Sequence, residues 1–405
     1  MKEIEFSTMY NTDSSGLGDR FFEPFTKRHM VNVKRLHMDW NDSWNRLVQF
    51  GLNSRGPDVS EVGTTWLGSF HTMDALRPLA MGETALLGGE SDFPPALWQA
   101  CKVEGENLLF GIPWTLDLRV VLYRRDWLQK AGVDEATAFA DSGHFSETLS
   151  RLQAAGHPSP LGLTTAETHT RLSHDVACWV WGAGGNLRSD DGRRMMLMEP
   201  KSRAGLEAYF GMNKFISLEV AGLTEVQVFE DFFAGKTAAA ILPERAYLEV
   251  VINTANYVAP EVKENIGLAM LMQAPYIGGS ALAIWRHSSD YQDSLKLIQH
   301  LTSLESWQRL GQLYPPYPPA RLDALDKSLL AKMPCYPAIR KSLQNGRCFH
   351  SGYRWRGVEA RLVSAIEQLW SDLRVNPELN IASEVEKRFS DLCIRLEQTI
   401  LASSW

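Results

Sequence analysis

Long apolar runs are missing from this sequence. No stretch approaches the roughly 18–20 residues that a transmembrane helix needs. An export signal is missing too: Met1-Lys2-Glu3 leads straight into the alternating Ile4-Glu5-Phe6-Ser7, with no apolar segment between them. The chain is therefore either cytosolic or the trimmed form of an exported protein, and a Met-Lys placed directly before a first strand reads as trimming. Basic runs are missing. The net charge is −7, and the pair Arg124-Arg125 is broken at once by Asp126, which argues against nucleic acid as a partner. Cysteine is scarce, with five in 405 residues, and no CxxC or Cys/His group has zinc spacing. A Cys335–Cys348 bridge is one reading and five separate thiols the other; the odd count leaves at least one thiol free.

Enzyme signatures fail one by one. Gly235-Lys236-Thr237 ends like a phosphate-binding loop, but the required first glycine is replaced by Glu230, and the segment lies between a helix and a strand in the wrong order. Gly278-Gly279-Ser280-Ala281-Leu282 lacks the last glycine of a nucleophile elbow, and there is no HExxH. His169 and His174 are five apart, not a helical metal-ligand spacing, and read as a surface pair.

What is present is ordinary globular composition, 44% hydrophobic and 22% charged, over a length that implies roughly two or three structural units. Residues 4–9 alternate like a strand. Leu17, Phe21 and Phe25 then fall four apart, one face of a helix. Val31, Val33 and Leu36 mark a second strand, and Asn41 or Ser43 is placed to cap a helix reaching about Gly51. A third strand starts at Pro57-Asp58-Val59. This βαβαβ order predicts a parallel sheet flanked by helices, with ligands bound beyond the carboxyl ends of its strands. A second region opens near residue 118. It has a strand at 120–123, helices near 126–131, 145–155 and 172–181, and a helix–strand–helix run over 225–251. A strand over 275–285 follows, then helices at 290–302 and 304–312. Tyr314-Pro315-Pro316-Tyr317-Pro318-Pro319 is the strongest linker signal, stiff enough for a hinge. The last eighty residues read as helices, including an amphipathic stretch over 357–373.

Several motifs resemble those of family 1 extracellular solute-binding proteins, the maltodextrin-binding type that serves ABC importers. They are Gly56-Pro57-Asp58-Val59, Gly111-Ile112-Pro113-Trp114 with Val121-Leu122-Tyr123-Arg124-Arg125-Asp126-Trp127-Leu128, Phe233-Ala234-Gly235-Lys236-Thr237, Gly278-Gly279-Ser280 and Leu301-Thr302-Ser303. Their order and spacing match across residues 4 to 320. The resemblance implies an α/β, two-lobed periplasmic-binding-protein fold, each lobe a sheet flanked by helices, with ligand between the lobes and closure about a hinge. Crossings are expected near 115–118, 272–276 and 313–320. The N-terminal lobe is then 1–116 plus 275–316, and the C-terminal lobe 117–274 plus 317–405. It further implies a monomer outside the cytoplasm, periplasmic or extracellular, that needs no cofactor or metal. The protein would capture a sugar or oligosaccharide, hand it to the transmembrane subunits of an ABC permease, and break no bond. Glycoside hydrolysis, whose carboxylates have no fixed sequence spacing, is disfavoured by the resemblance. An anionic solute, suggested by Arg119, Arg245, Arg354 and Arg356, is the alternative ligand class. A sensory module is the alternative role.

Sugars offer apolar faces to aromatic rings and hydroxyl edges to charged or amide groups. Thirteen tryptophans supply rings. Thr65 and Trp66 follow the third strand and are expected at the ligand. Trp114 and Asp117 lie at the first crossing, Asp117 as a hydroxyl acceptor, with Arg119 pairing either to Asp117 or to ligand. Tyr10, Asn11 and Asp13 follow the first strand, where Asp13 or Ser14 is otherwise a simple helix cap. Of Trp40 and Trp44, one is expected at the ligand and one in the core. In the second lobe Glu167 and His169 follow a short strand. Glu244 and Arg245 replace a family Gly-Pro-Trp-like turn and either neutralise one another or face the cleft. Gly278, Gly279 and Ser280 allow close backbone approach, by ligand or within a tight turn. Tyr353 and Trp355 stand where the family places a C-terminal stacking aromatic.

Overall fold

The computed structural model describes residues 1–9, 18–103, 107–166, 171–217, 222–252, 257–313, 318–349, 352 and 355–401. The strands are β1 (Lys2–Thr8), β2 (Val31–His37), β3 (Val59–Gly63), β4 (Ile112–Arg124), β5 (Leu161–Gly162), β6 (Ala239–Pro243), β7 (Ile266–Met270) and β8 (Ile277–Ile284). The chain divides into two compact units: Met1–Asp117, Ile277–Tyr336 and Cys348–Arg356 in the first, and Leu118–Tyr276, Pro337–Arg347 and Gly357–Trp405 in the second.

In unit 1, β1 is the parallel partner of β2 from Lys2↔Val31 to Thr8↔His37, and of β3 at Phe6↔Val59. Strand β8 follows antiparallel to β3, Val59 opposite Ile284. Alternation makes β1 a strand by burying Ile4 and Phe6, while Phe21, Phe22 and Phe25 form the buried face of the helix Asp19–His29. That helix ends at Met30, whose left-handed φ of 57° lets its N–H reach the Thr26 carbonyl. The next helix, Trp40–Asn53, starts earlier than the sequence suggests, because the Asp39 carboxylate accepts the Asn41 N–H at 2.8 Å.

Unit 2 is built on the second half of β4. That strand is antiparallel to β6 (Val121↔Ile241) and to β7 (Val121↔Ala269), and β5 lies parallel to β6. Of the thirteen β4 residues only Asp117 is not buried, the pattern of a strand covered on both faces. The helices Arg171–Gly182 and Pro200–Phe210 meet closely: a Cβ on Gly205 would stand 2.6 Å from the Trp179 carbonyl oxygen.

Residues 314–317 of the proline-rich segment lie outside the described residues. Beyond them, the Leu116 N–H donates to the Pro318 carbonyl and the Ala320 N–H to that of Trp114. That pairing keeps the following stretch, through Tyr336, in unit 1, where the sequence reading had placed everything after 316 in the other lobe. All five cysteines are separate thiols.

Candidate ligand site

The carboxyl ends of β2 and β3 bring three indoles together in unit 1. After β3 the chain turns through Thr64–Trp66, and the Trp66 ring folds back over Gly63, where an added Cβ would stand 3.1 Å from it. Trp40 opens the helix after β2, and Trp44 lies one turn further on the same face. Both meet Trp66 edge to face, at 5.7 Å and 5.5 Å between centroids. Trp66 is only 8% exposed, whereas Trp40 and Trp44 are half-buried. The Arg356 guanidinium lies 5.0 Å from the Trp44 ring centroid. Beside the indoles, the buried Glu61 of β3 accepts the Thr8 hydroxyl at 2.8 Å and the Met9 N–H at 2.7 Å. This pins the end of β1 just before Tyr10, Asn11 and Asp13, which lie outside the described residues. Thr65 is buried in the turn, and Asp117, at the end of the unit's share of β4, is half-buried.

Other expected ligand contacts belong to the interior. Trp114 is fully buried between Phe6 and Trp307, its indole N–H donating to the Leu301 carbonyl at 3.3 Å. Gly279 makes room for protein: a Cβ there would stand 1.9 Å from the Thr115 carbonyl oxygen. Gly278 is buried, and Ser280 is engaged by the Thr115 hydroxyl at 2.7 Å. Trp355 is buried against Phe349, 4.6 Å between centroids. Each of these five is therefore reassigned from ligand to packing within unit 1.

In unit 2, Arg119 does not reach Asp117. It is buried on Glu225 (2.7 Å) and Asp175 (3.4 Å). Glu225 opens the helix Glu225–Phe233, behind a capping box of Thr224 and Gln227. Arg171 and Arg245 also reach Glu225, each at 3.2 Å. Burial alone would raise the Glu225 carboxyl, but the three guanidinia overcome it and hold its pKa at about 2. Glu244 is fully buried and accepts the Leu118 N–H at 2.6 Å. His174 is no surface residue. It is stacked on Tyr276 at 4.0 Å, and burial, with Arg119 and Arg171 nearby, pushes its pKa well down. Ser173, its neighbour, donates to the buried Glu359 at 3.1 Å. Glu167, His169 and Tyr353 lie outside the described residues. The sequence reading missed Arg171, Asp175, Glu225 and Glu359. The one available signal was the density of polar residues over 171–175 in a segment otherwise patterned as a buried helix.

Two α/β units of this topology make the fold that of the two-lobed periplasmic binding proteins. Over 100% of this chain and 98% of that one, it is similar to the sugar-binding protein MalE from Xanthomonas citri (TM-score 0.80, 19% identity). It is similar over 99% and 100% to an ABC transporter solute-binding protein from Thermotoga lettingae bound with α-D-tagatose (TM-score 0.79, 17% identity). A probable ABC transporter-binding protein of Deinococcus radiodurans is 22% identical over 302 residues, 72% of this chain and 69% of that one. The chain belongs to the bacterial extracellular solute-binding proteins, whose family model matches residues 20–338.

Proposed function

We propose that this protein is the solute-binding component of an ABC importer, capturing a sugar or oligosaccharide outside the cytoplasm and passing it to a membrane permease. The observation that carries this reading is the indole group at the carboxyl ends of β2 and β3, where an open α/β sheet binds its ligands. Trp40 and Trp44, half-buried against Trp66, offer apolar faces of the kind a pyranose covers. Asp117 supplies an acceptor for hydroxyls at the last residue of that unit's first segment. The family's role and the sugar-bound relatives agree with this assignment. Recognition is the whole of its chemistry: the ligand leaves as it came. Tryptophan fluorescence titrated with mono- and oligosaccharides tests the reading. A saturable change with micromolar or tighter affinity, lost in Trp40→Ala, is expected. A ligand that binds without perturbing any indole, and as well to Trp40→Ala, would contradict it.

A further inference from the structure

Unit 1 holds two thiols that sugar capture does not use. Cys101 ends the helix Pro95–Ala100 and is fully buried. Its backbone is held on both sides: the N–H donates to the Leu97 and Trp98 carbonyls, and the carbonyl accepts the Phe110 N–H at 2.9 Å. Cys348 comes from the far end of the chain, where it opens the segment Cys348–Arg356 that belongs to unit 1. Its Sγ donates to the Ala96 carbonyl at 2.8 Å. In a helix that carbonyl points along the axis toward residue 100, so the Cys348 sulfur stands beside the last turn, next to Cys101. The two thiols feel one another: burial pushes the Cys101 thiol well up, and the charge of Cys348 adds to the shift.

The segment that Cys348 opens carries Phe349 and Trp355, packed at 4.6 Å, and Arg356, whose guanidinium lies 5.0 Å from the Trp44 ring. It therefore reaches the indole group. Between Cys101 and Cys348 the chain leaves unit 1 and returns to it. A bond between these two residues closes a loop of more than half the chain, and long loops are those in which a cross-link removes most freedom from the unfolded state. The chain belongs to an extracellular family, and disulfides persist in oxidising surroundings.

We propose that Cys101 and Cys348 are a redox pair that closes to a disulfide, stapling the segment that carries Arg356 to the body of unit 1. The inference does not depend on the sugar reading. Cys348, the more exposed partner, reacts first. As a thiolate it attacks one sulfur of a small disulfide such as oxidised glutathione. That S–S bond breaks, and one glutathione leaves with the proton Cys348 gave up. Cys101 then attacks the Cys348 sulfur of the mixed disulfide, and the second glutathione leaves with the Cys101 proton. Two protein thiols are oxidised to one disulfide while one glutathione disulfide is reduced to two thiols. To test this, the full chain is incubated with oxidised glutathione or with dithiothreitol. Free thiols are counted in denaturant, and peptides are mapped without reduction. The oxidised sample should lose two thiols, yield a cross-linked peptide joining Cys101 to Cys348, and melt several degrees above the reduced sample. Cys101→Ala should instead trap one glutathione on Cys348, and Cys348→Ala should form no bridge. Neither variant should show the rise in melting temperature between its own reduced and oxidised samples, whatever its starting stability. Cys335→Ala should behave as the unsubstituted chain. A bridge from Cys348 to Cys335, a thiol count that oxidant leaves unchanged, or glutathione kept on Cys348 of the unsubstituted chain overturns the inference.

Discussion

Trp40 and Trp66 touch edge to face, yet they should fail differently when removed. Trp66 is 8% exposed and wedged between Trp40 and Trp44. Trp66→Ala should therefore cost the ligand-free protein about 3–5 kcal/mol, the usual range for a buried large aromatic, measured by urea unfolding. Trp40 is half-buried, so Trp40→Ala should leave the midpoint nearly unchanged and weaken sugar binding roughly tenfold or more through lost apolar contact. Asp117 belongs with Trp40. A charged acceptor bonded to a hydroxyl where water is excluded contributes about 1.5–3 kcal/mol. Asp117→Ala should therefore weaken binding by roughly tenfold to a hundredfold without moving the ligand-free melting curve. A large stability loss with intact affinity would return Asp117 to a structural role.

Two elements make predictions of their own. At the start of β8, Gly279 has φ +145° and meets the Thr115 carbonyl at a distance no side chain tolerates. Gly279→Ala should cost several kcal/mol, on the order of the largest single-residue effects, or yield no folded protein; circular dichroism decides. The second concerns the helix Tyr291–Thr302, which sets His300 among Phe21, Phe22 and Phe25. Burial pushes its pKa from 6.5 down to about 4. The unfolded chain takes up that proton near 6.5 and the folded protein only near 4. The stability is therefore full above about pH 6.5 and is lost as pH falls toward 4, by at most about 3 kcal/mol. Urea titrations across this window should show a slope that drops by about one proton in His300→Gln.

The same elements show what could be read ahead. The βαβαβ start of unit 1 was legible because its periodicities are local: Ile4 and Phe6 alternate, and Phe21 and Phe25 lie one helical turn apart. Strand β4 was read too short because Ile112-Pro113-Trp114 carries a proline. Pro113 is tolerated at the strand's second residue, where a missing N–H costs little. The Arg119–Asp175–Glu225 group was not legible, because its members lie about fifty residues apart and gain partners only when β4 and β6 pair.

For the whole molecule, family membership and fold fix the role as capture of a solute, and the indole group at the strand ends of unit 1 argues that the solute is a sugar. A ligand that binds only the folded state raises its stability by an amount set by concentration over Kd, about 2.7 kcal/mol at a hundredfold excess over Kd. The most direct test is thermal melting against a panel of neutral and acidic mono- and oligosaccharides, set beside amino acids, short peptides and polyamines at equal concentration. The account predicts that at least one saccharide raises the melting temperature by several degrees, with a dose dependence that yields a Kd, and that the other classes leave it unmoved. A shift produced by a peptide, amino acid or polyamine, with every saccharide inert, would contradict it.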